Sequence, residues 1–467
     1  MGTDSLISRR RALGAAAAGS GGLLLSAAVP ALAKTKPPVT HTRPHKRRVD
    51  ELPYADREMG EPGIPQIEHL VLVMMENHSL DNILGMLPAV SAPHRWSFDG
   101  LPLNNAGVPI AANPDKTGAA TYSYRLPDLC PFQGLGQDWN ASHTQYDDGL
   151  NDGFVENAGV KTPMGYFTED QFPVTYAIAR NYPISDRHFC SLMGQTLPNR
   201  RYYFSATSSG YVNDDDQSLL VDAANGTIFD RLNAAKTTWR LYTDGTPTPD
   251  YFPSFRSAEQ ANCTGLNQFF TDAADGNLRT VTYVEANGNY QSEENPQDVA
   301  YGENFVDSVV MAVQKSPLWS KTALFITYDE HGGYYDHVPP PAAVEPDNIQ
   351  PMLGLSSDGT YKASFNRYGF RVPFMVVSPW AQPDSYVSHQ VTDHTSVLAF
   401  MESWLNLPPM TQRDAAAWDL QDMFDISQPN FPDGIELPAP PSITSSLAQC
   451  RADGEDPPVA NNADPSF

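Results

Sequence analysis

The sequence predicts an α/β fold, with a central, mostly parallel sheet, helices on both faces and long loop insertions. Short apolar runs, suited to strands buried on both faces, alternate with stretches whose apolar residues recur every three or four positions. No internal repeat is visible. At 467 residues, 41% of them hydrophobic, the chain holds enough apolar material for one large core or two smaller ones.

Residues 1–33 read as a targeting segment, outside the fold. Arg9-Arg10-Arg11 precede a weakly apolar stretch that ends at the cleavage pattern Ala31-Leu32-Ala33. Paired arginines before a mild, Gly-broken hydrophobic region resemble a twin-arginine export signal, so a secreted or cell-envelope protein is expected. The stretch is shorter than the roughly 20 apolar residues of a spanning helix. Residues 34–63 follow as a basic, Pro-rich linker.

Within the expected catalytic domain, 64–428, the clearest strands are 70–75, 240–242, 281–284, 323–328 and 372–378. Ile228, Phe229, Leu232 and Ala235 follow a Thr227 cap and predict a helix. Phe305, Val306, Val309, Val310 and Val313 keep a 3.6-residue period, and a third helix covers 397–405, beginning beside Thr392 or Asp393. Connections 91–121, 243–264 and 339–366 read as insertions over the sheet. From 429 to 467 Pro, Ser and Asp dominate, which reads as a loose tail.

Acidic residues (55) outnumber basic ones (30), giving a net charge of −25. Such a chain is no general nucleic-acid binder, although a metal ion can still invert the charge of one pocket. The 4 cysteines lack metal-type spacing, and two disulfides are expected, their pairing left open.

Functional groups in open α/β sheets gather at the carboxyl ends of strands. Glu76-Asn77 follows the first strand and offers two hard oxygen ligands. Asp329-Glu330-His331-Gly332-Gly333 and Asp336-His337 follow another, with a glycine pair for a tight turn. In Gly194-Gln195-Thr196-Leu197-Pro198-Asn199-Arg200 a hydroxyl stands on a rigid turn beside phosphate donors. That turn reads equally as a nucleophile or as a Thr-capped structural turn.

Together these stretches resemble the bacterial phosphoesterase family of non-haemolytic phospholipases C and related acid phosphatases, cousins of plant non-specific phospholipases C. Its motifs are matched by Glu76-Asn77-His78-Ser79-Leu80-Asp81, by Gly194 to Arg200 and by Tyr328 to Pro339. A fourth block runs from Gly369-Phe370-Arg371 through His389 to Asp393-His394. The resemblance implies an alkaline-phosphatase-like fold and one divalent metal ion held by Glu76, Asn77, Asp329 and Glu330. An all-oxygen set suits calcium, magnesium or manganese. It implies Thr196 as nucleophile and metal ligand, with a phosphothreonine intermediate, and Asn199, Arg200, His331 and His337 in catalytic positions. Gln137, His143, Asn295, Asp336 and His389 are implied on the substrate side.

Two positions depart from the family pattern. Gln137 and Asn295 stand where relatives carry His, and neither can transfer a proton. The leading expectation is an exported phospholipase C-type phosphodiesterase acting on a phospholipid or phosphate ester, with at most peripheral membrane contact. A phosphomonoesterase and an inactive binding protein on the same scaffold are the alternatives; head group and oligomeric state stay open. The aromatic runs Tyr202-Tyr203-Phe204 and Tyr334-Tyr335 read as core or as a lipid entrance.

Overall fold

The computed structural model describes residues 47–90, 97–130, 135–214 and 220–460; the targeting segment lies outside them. An 8-stranded sheet forms the centre. Its strands are β1 (His69–Met75), β2 (Ile184–Ser185), β3 (Trp239–Tyr242), β4 (Cys263–Thr264), β5 (Val281–Glu285), β6 (Thr322–Tyr328), β7 (Phe374–Val377) and β8 (Val387–Ser388). The spatial order is β8-β2-β7-β6-β1-β5-β3-β4. Only β7 runs against the others, antiparallel to both β6 and β2.

The helices that matter here are α1 (Trp139–Tyr146), α2 (Pro173–Asn181), α3 (Thr196–Ser205), α4 (Ile228–Ala234), α5 (Leu266–Asp275), α6 (Val299–Lys315), α7 (His394–Leu405) and α8 (Ile443–Ala452). The strand period of two divides β1 between two cores. Val71, Val73 and Met75 meet α2, α5 and α6, through Ile178, Phe269 and Val309 among others. Leu70, Leu72 and Met74 share a second core with Phe204 of α3, Phe229 of α4 and Trp404 of α7. Each such side chain, fully removed from water, contributes roughly 1.5–3 kcal/mol.

Local chemistry sets the helix starts. Thr227 and Asp230 form a capping box ahead of α4, and Asp393 and Ser396 do the same for α7. Register then places the functional edge. Met74 pairs with Glu285 and Met75 with Tyr328, so Glu76-Asn77, Glu285 and Asp329-Glu330 reach one edge of the sheet at the same level.

Several expectations are corrected. The part of the linker from residue 47 onward is bound to the domain. Arg47 is buried, with Nη1 2.7 Å from Ala399 O and 3.5 Å from Glu402, and Arg57 donates to Ser403 O at 2.8 Å. The tail is likewise anchored, as far as Cys450, and includes α8. Cys450 of that helix bonds Cys130, Ser446 donates to Asp298 at 2.7 Å, and Phe431 packs on Tyr182 at 4.5 Å. One disulfide forms in place of the expected two, with Cys190 buried and Cys263 half-buried as free thiols. Tyr202, Tyr203, Phe204 and Tyr334 are core, not entrance.

Candidate active site

The carboxyl end of β1 turns sharply at Asn77, whose φ is 66°, and its N–H donates to Asp329 Oδ1 at 3.1 Å. That turn lies against the backbone of Gly332 (φ +63°), where a Cβ would stand 1.8 Å from Asn77 O. Only glycine fits there.

Thr196 opens α3, and its hydroxyl donates to Asn77 Oδ1 at 3.2 Å. It is not a cap, because Gln195 holds the cap position and supplies no side-chain bond. The Asn77 amide donates in turn to Gln137 Oε1 at 3.1 Å. Along the next turn of α3, Arg200 joins the two strand ends. It reaches Glu76 Oε1 at 2.7 Å, Asp329 Oδ2 at 2.9 Å and Thr248 at 3.1 Å. Glu330 receives the Gly332 N–H at 2.7 Å through Oε2, while its Oε1 is buried with no hydrogen-bond partner. Glu76, Asn77, Gln137, Thr196, Arg200, Asp329 and Glu330 thus form one connected group.

Three acids belong to the same neighbourhood and were missed by sequence reasoning. Asp214 accepts Leu197 N–H at 2.8 Å, just after Thr196. Glu285, the last residue of β5, accepts the Thr248 N–H at 3.0 Å. Glu294 bonds Gln137 and feels the charges of Glu76 and Asp329. Glu285 had a usable signal, an acid at the carboxyl end of a predicted strand. Asp214 and Glu294 sit in acidic loops without one.

So many carboxylates around one guanidinium hold protons tightly. Burial pushes Asp329 up to about 6 against the pull of Arg200. Burial pushes Asp214 and Glu294 to about 7 and Glu330 well above the usual range. With all of them ionised, Glu76, Asp329 and Glu330 leave a surplus of two negative charges over Arg200. The donors Glu76, Asn77, Thr196, Asp329 and Glu330 are all oxygen, and one of them is buried without a partner. As a donor set it suits a hard divalent cation in type, although Arg200 bridges Glu76 and Asp329 as they stand. Among the described residues the groups whose acid, His or Cys ligand atoms converge are Asp81–Asp336–His337 and Cys130–Asp298–Cys450. Arg371 already bonds Asp81 and Asp336 in the first, and the sulfurs of the second are bonded to each other.

The remaining candidates take partners of their own. Asn199 is a brace: its Oδ1 accepts Ser191 N–H at 2.8 Å and Leu192 N–H at 3.1 Å, and its amide donates to Gly194 O at 2.9 Å. It shapes the Thr196 turn and has no group left for substrate. His331 is buried, donating to Gln145 at 2.7 Å and packing on Phe370, with its Nδ1 3.1 Å from Glu330 Oε2; burial lowers it to about 3, keeping it neutral. His143 donates to Trp139 O at 2.7 Å and stacks on Tyr361, with burial lowering it to about 4. Asn295 accepts the Tyr334 hydroxyl at 3.0 Å.

Asp336, His337 and His389 fall in a second polar cluster centred on Arg371. Arg371 reaches Asp336 at 2.8 Å and Asp81 at 3.1 Å, while His337 bonds Asp81 at 2.7 Å and Asp99 at 3.2 Å. His389 bonds Asp186 at 2.9 Å. Burial opposes charging of His337, yet Asp81 and Asp99 lift it to about 10. This cluster clasps separate loops together, and its charges are spent on one another.

Residues 67–408 match the Phosphoesterase family. The chain is 29% identical to non-specific phospholipase C5 of Arabidopsis thaliana, covering 86% of this chain and 82% of the relative. It is 31% identical to non-specific phospholipase C6 of the same plant, covering 76% and 72%. Non-hemolytic phospholipase C of Burkholderia pseudomallei is 30% identical, covering 80% of this chain and 61% of its own length. Among solved structures, a protein of the alkaline phosphatase superfamily from Vibrio parahaemolyticus is similar at TM-score 0.33 and 11% identity, over 73% of this chain and 80% of that one.

Proposed function

The chain belongs to the phosphoesterase family and is a hydrolase of phosphoester bonds, and we propose that it acts as an exported phospholipase C-type phosphodiesterase with Thr196 as nucleophile. The observation that carries this reading is the Thr196 hydroxyl, held 3.2 Å from Asn77 Oδ1 at the start of α3 and next to the Arg200-bridged carboxylates. Asn77 orients the hydroxyl, and Asn199 fixes the turn that presents it. A divalent cation on Glu76, Asn77, Thr196, Asp329 and Glu330 would favour the Thr196 alkoxide and neutralise phosphoryl oxygens.

Thr196 Oγ1 bonds phosphorus as the bond to the glycerol oxygen breaks, and the departing alkoxide takes up a proton. Water then attacks the phosphothreonine, releasing the phosphorylated head group and restoring the hydroxyl. Relatives named as phospholipases C support the diester reading over the monoester one.

The test compares phosphatidylcholine with p-nitrophenyl phosphate, with and without chelator, for the parent protein, Thr196→Ala and Thr196→Ser. Ala should lose several orders of magnitude and Ser should keep a substantial share, since only the hydroxyl carries the reaction. Normal turnover by the Ala variant would refute the assignment, and faster hydrolysis of the monoester would replace diesterase by phosphatase.

A further inference from the structure

Four consecutive residues around Gln137 are pinned. Gly136 O accepts the Gln145 amide at 2.6 Å and lies against Gly333, where an added Cβ would stand 2.7 Å from it. Gln137 O accepts the Ser142 hydroxyl at 3.2 Å, and Asp138 caps α1 through the Ala141 N–H at 2.9 Å. Trp139 N–H donates to Asn213 Oδ1 at 3.0 Å. The backbone that carries Gln137 is therefore fixed, and its side chain meets Asn77 at the end of β1.

Asn77 needs such a partner. Its carboxamide is buried, and the oxygen and NH2 of an amide differ little in shape, so hydrogen-bond partners decide which faces where. The Thr196 hydroxyl donates to Asn77 Oδ1 at 3.2 Å, and Asn77 Nδ2 donates to Gln137 Oε1 at 3.1 Å. Gln137 is itself an amide and can face either way, but its other partner is the Glu294 carboxyl. An ionised carboxylate only accepts, and the hydrogen bond from Gln137 acts to hold that carboxyl ionised, as a donated N–H does. From Thr196 through Asn77 and Gln137 to Glu294, every donor thus points the same way. Run in reverse, the chain would turn the Asn77 NH2 toward Thr196, where it can neither receive the hydroxyl proton nor hold a cation.

We propose that Gln137, anchored by Glu294, is a positioning residue that keeps Asn77 Oδ1 turned toward Thr196, and that it does not bind substrate. The proposal rests on the reading of Thr196 as nucleophile for its purpose, not for its geometry. Groups that orient a ligand are worth nearly as much to a site as the ligand itself.

The experiment measures kcat and KM on soluble p-nitrophenyl phosphorylcholine, and the rise in melting temperature on adding calcium, magnesium or manganese. It compares the parent, Gln137→Met, and the exchange of Gln137→Glu together with Glu294→Gln. Met fills the space without the amide oxygen, so kcat should fall roughly 10–100-fold with KM unchanged. The cation-induced rise should shrink, while the melting point in chelator stays at the parent's. The exchange keeps the charge and sets an acceptor-only carboxylate directly against Asn77, so kcat and the cation response should largely return. Unchanged kcat and cation response in Gln137→Met, a raised KM in place of a lowered kcat, or an exchange variant no better than Gln137→Met would each overturn the proposal. So would a lowered melting point in chelator with normal turnover per folded molecule, which would make Gln137 a structural link only. Thr196→Ala separates the two readings. Normal turnover there refutes the nucleophile, whereas its loss there with none in Gln137→Met refutes the positioning role alone.

Discussion

Replacing Arg200 by methionine keeps much of the side-chain volume and removes the guanidinium that joins Glu76 to Asp329. Arg200 is buried, and both bonds are short, 2.7 and 2.9 Å. Taking one partner from a buried ion pair leaves charges without compensation and costs about 3–5 kcal/mol. At roughly 2 °C per kcal/mol for a large domain, Arg200→Met melts about 6–10 °C below the parent protein in chelator. The freed carboxylates then repel one another more strongly, so adding calcium, magnesium or manganese raises the melting temperature further in the variant than in the parent. Differential scanning calorimetry with and without cation reads both effects. Equal melting points in chelator, or an equal response to cation, would show that Arg200 does not neutralise the cage.

Three further outcomes follow from described contacts or from the expected export signal. His337 is raised to about 10 in the folded protein, so its stabilising effect is complete below the unfolded value of about 6.5 and is lost as pH rises toward 10. Melting temperature should fall across that window, and His337→Asn should flatten the slope; an unchanged slope removes His337 from the clasp. The Cys130–Cys450 bond spans 320 residues, for which chain entropy predicts about 6 kcal/mol. Cys450→Ser should lower the melting point and make α8 a site of early proteolysis, while resistance equal to the parent's would mean that packing alone secures the helix. For the leader, Arg9, Arg10 and Arg11 changed together to Lys should trap the precursor inside the cell. Export at the normal rate would indicate the general secretory route.

The long strands were legible because buried runs such as 323–328 are unambiguous, and α6 because Phe305 to Val313 keep a helical period. Strands β2, β4 and β8 have two residues each, too few for any periodicity to register. The reversed direction of β7 was invisible, since an apolar run carries no sign of its neighbours' orientation. In the site, residue type drew attention to Glu76, Asn77, Thr196, Asp329 and Glu330, which the fold brings into one neighbourhood. The same criterion put Asn199 among the catalytic groups, although its partners are backbone groups that shape the turn. Side-chain chemistry is written in the sequence; which way a side chain faces is not.

The opening turn of α3 limits what Thr196 can rely upon. A helix start is ordinarily rich in free N–H groups, which make a ready cradle for phosphate. Here the Leu197 N–H is taken by Asp214, Pro198 has none, and the Asn199 N–H turns back to Gln195 O. The three positions after Thr196 thus give an incoming anion no amide to settle on. With these three positions spent, the helix start offers no run of successive amides to an anion, so turnover should fall steeply when a chelator removes the cation.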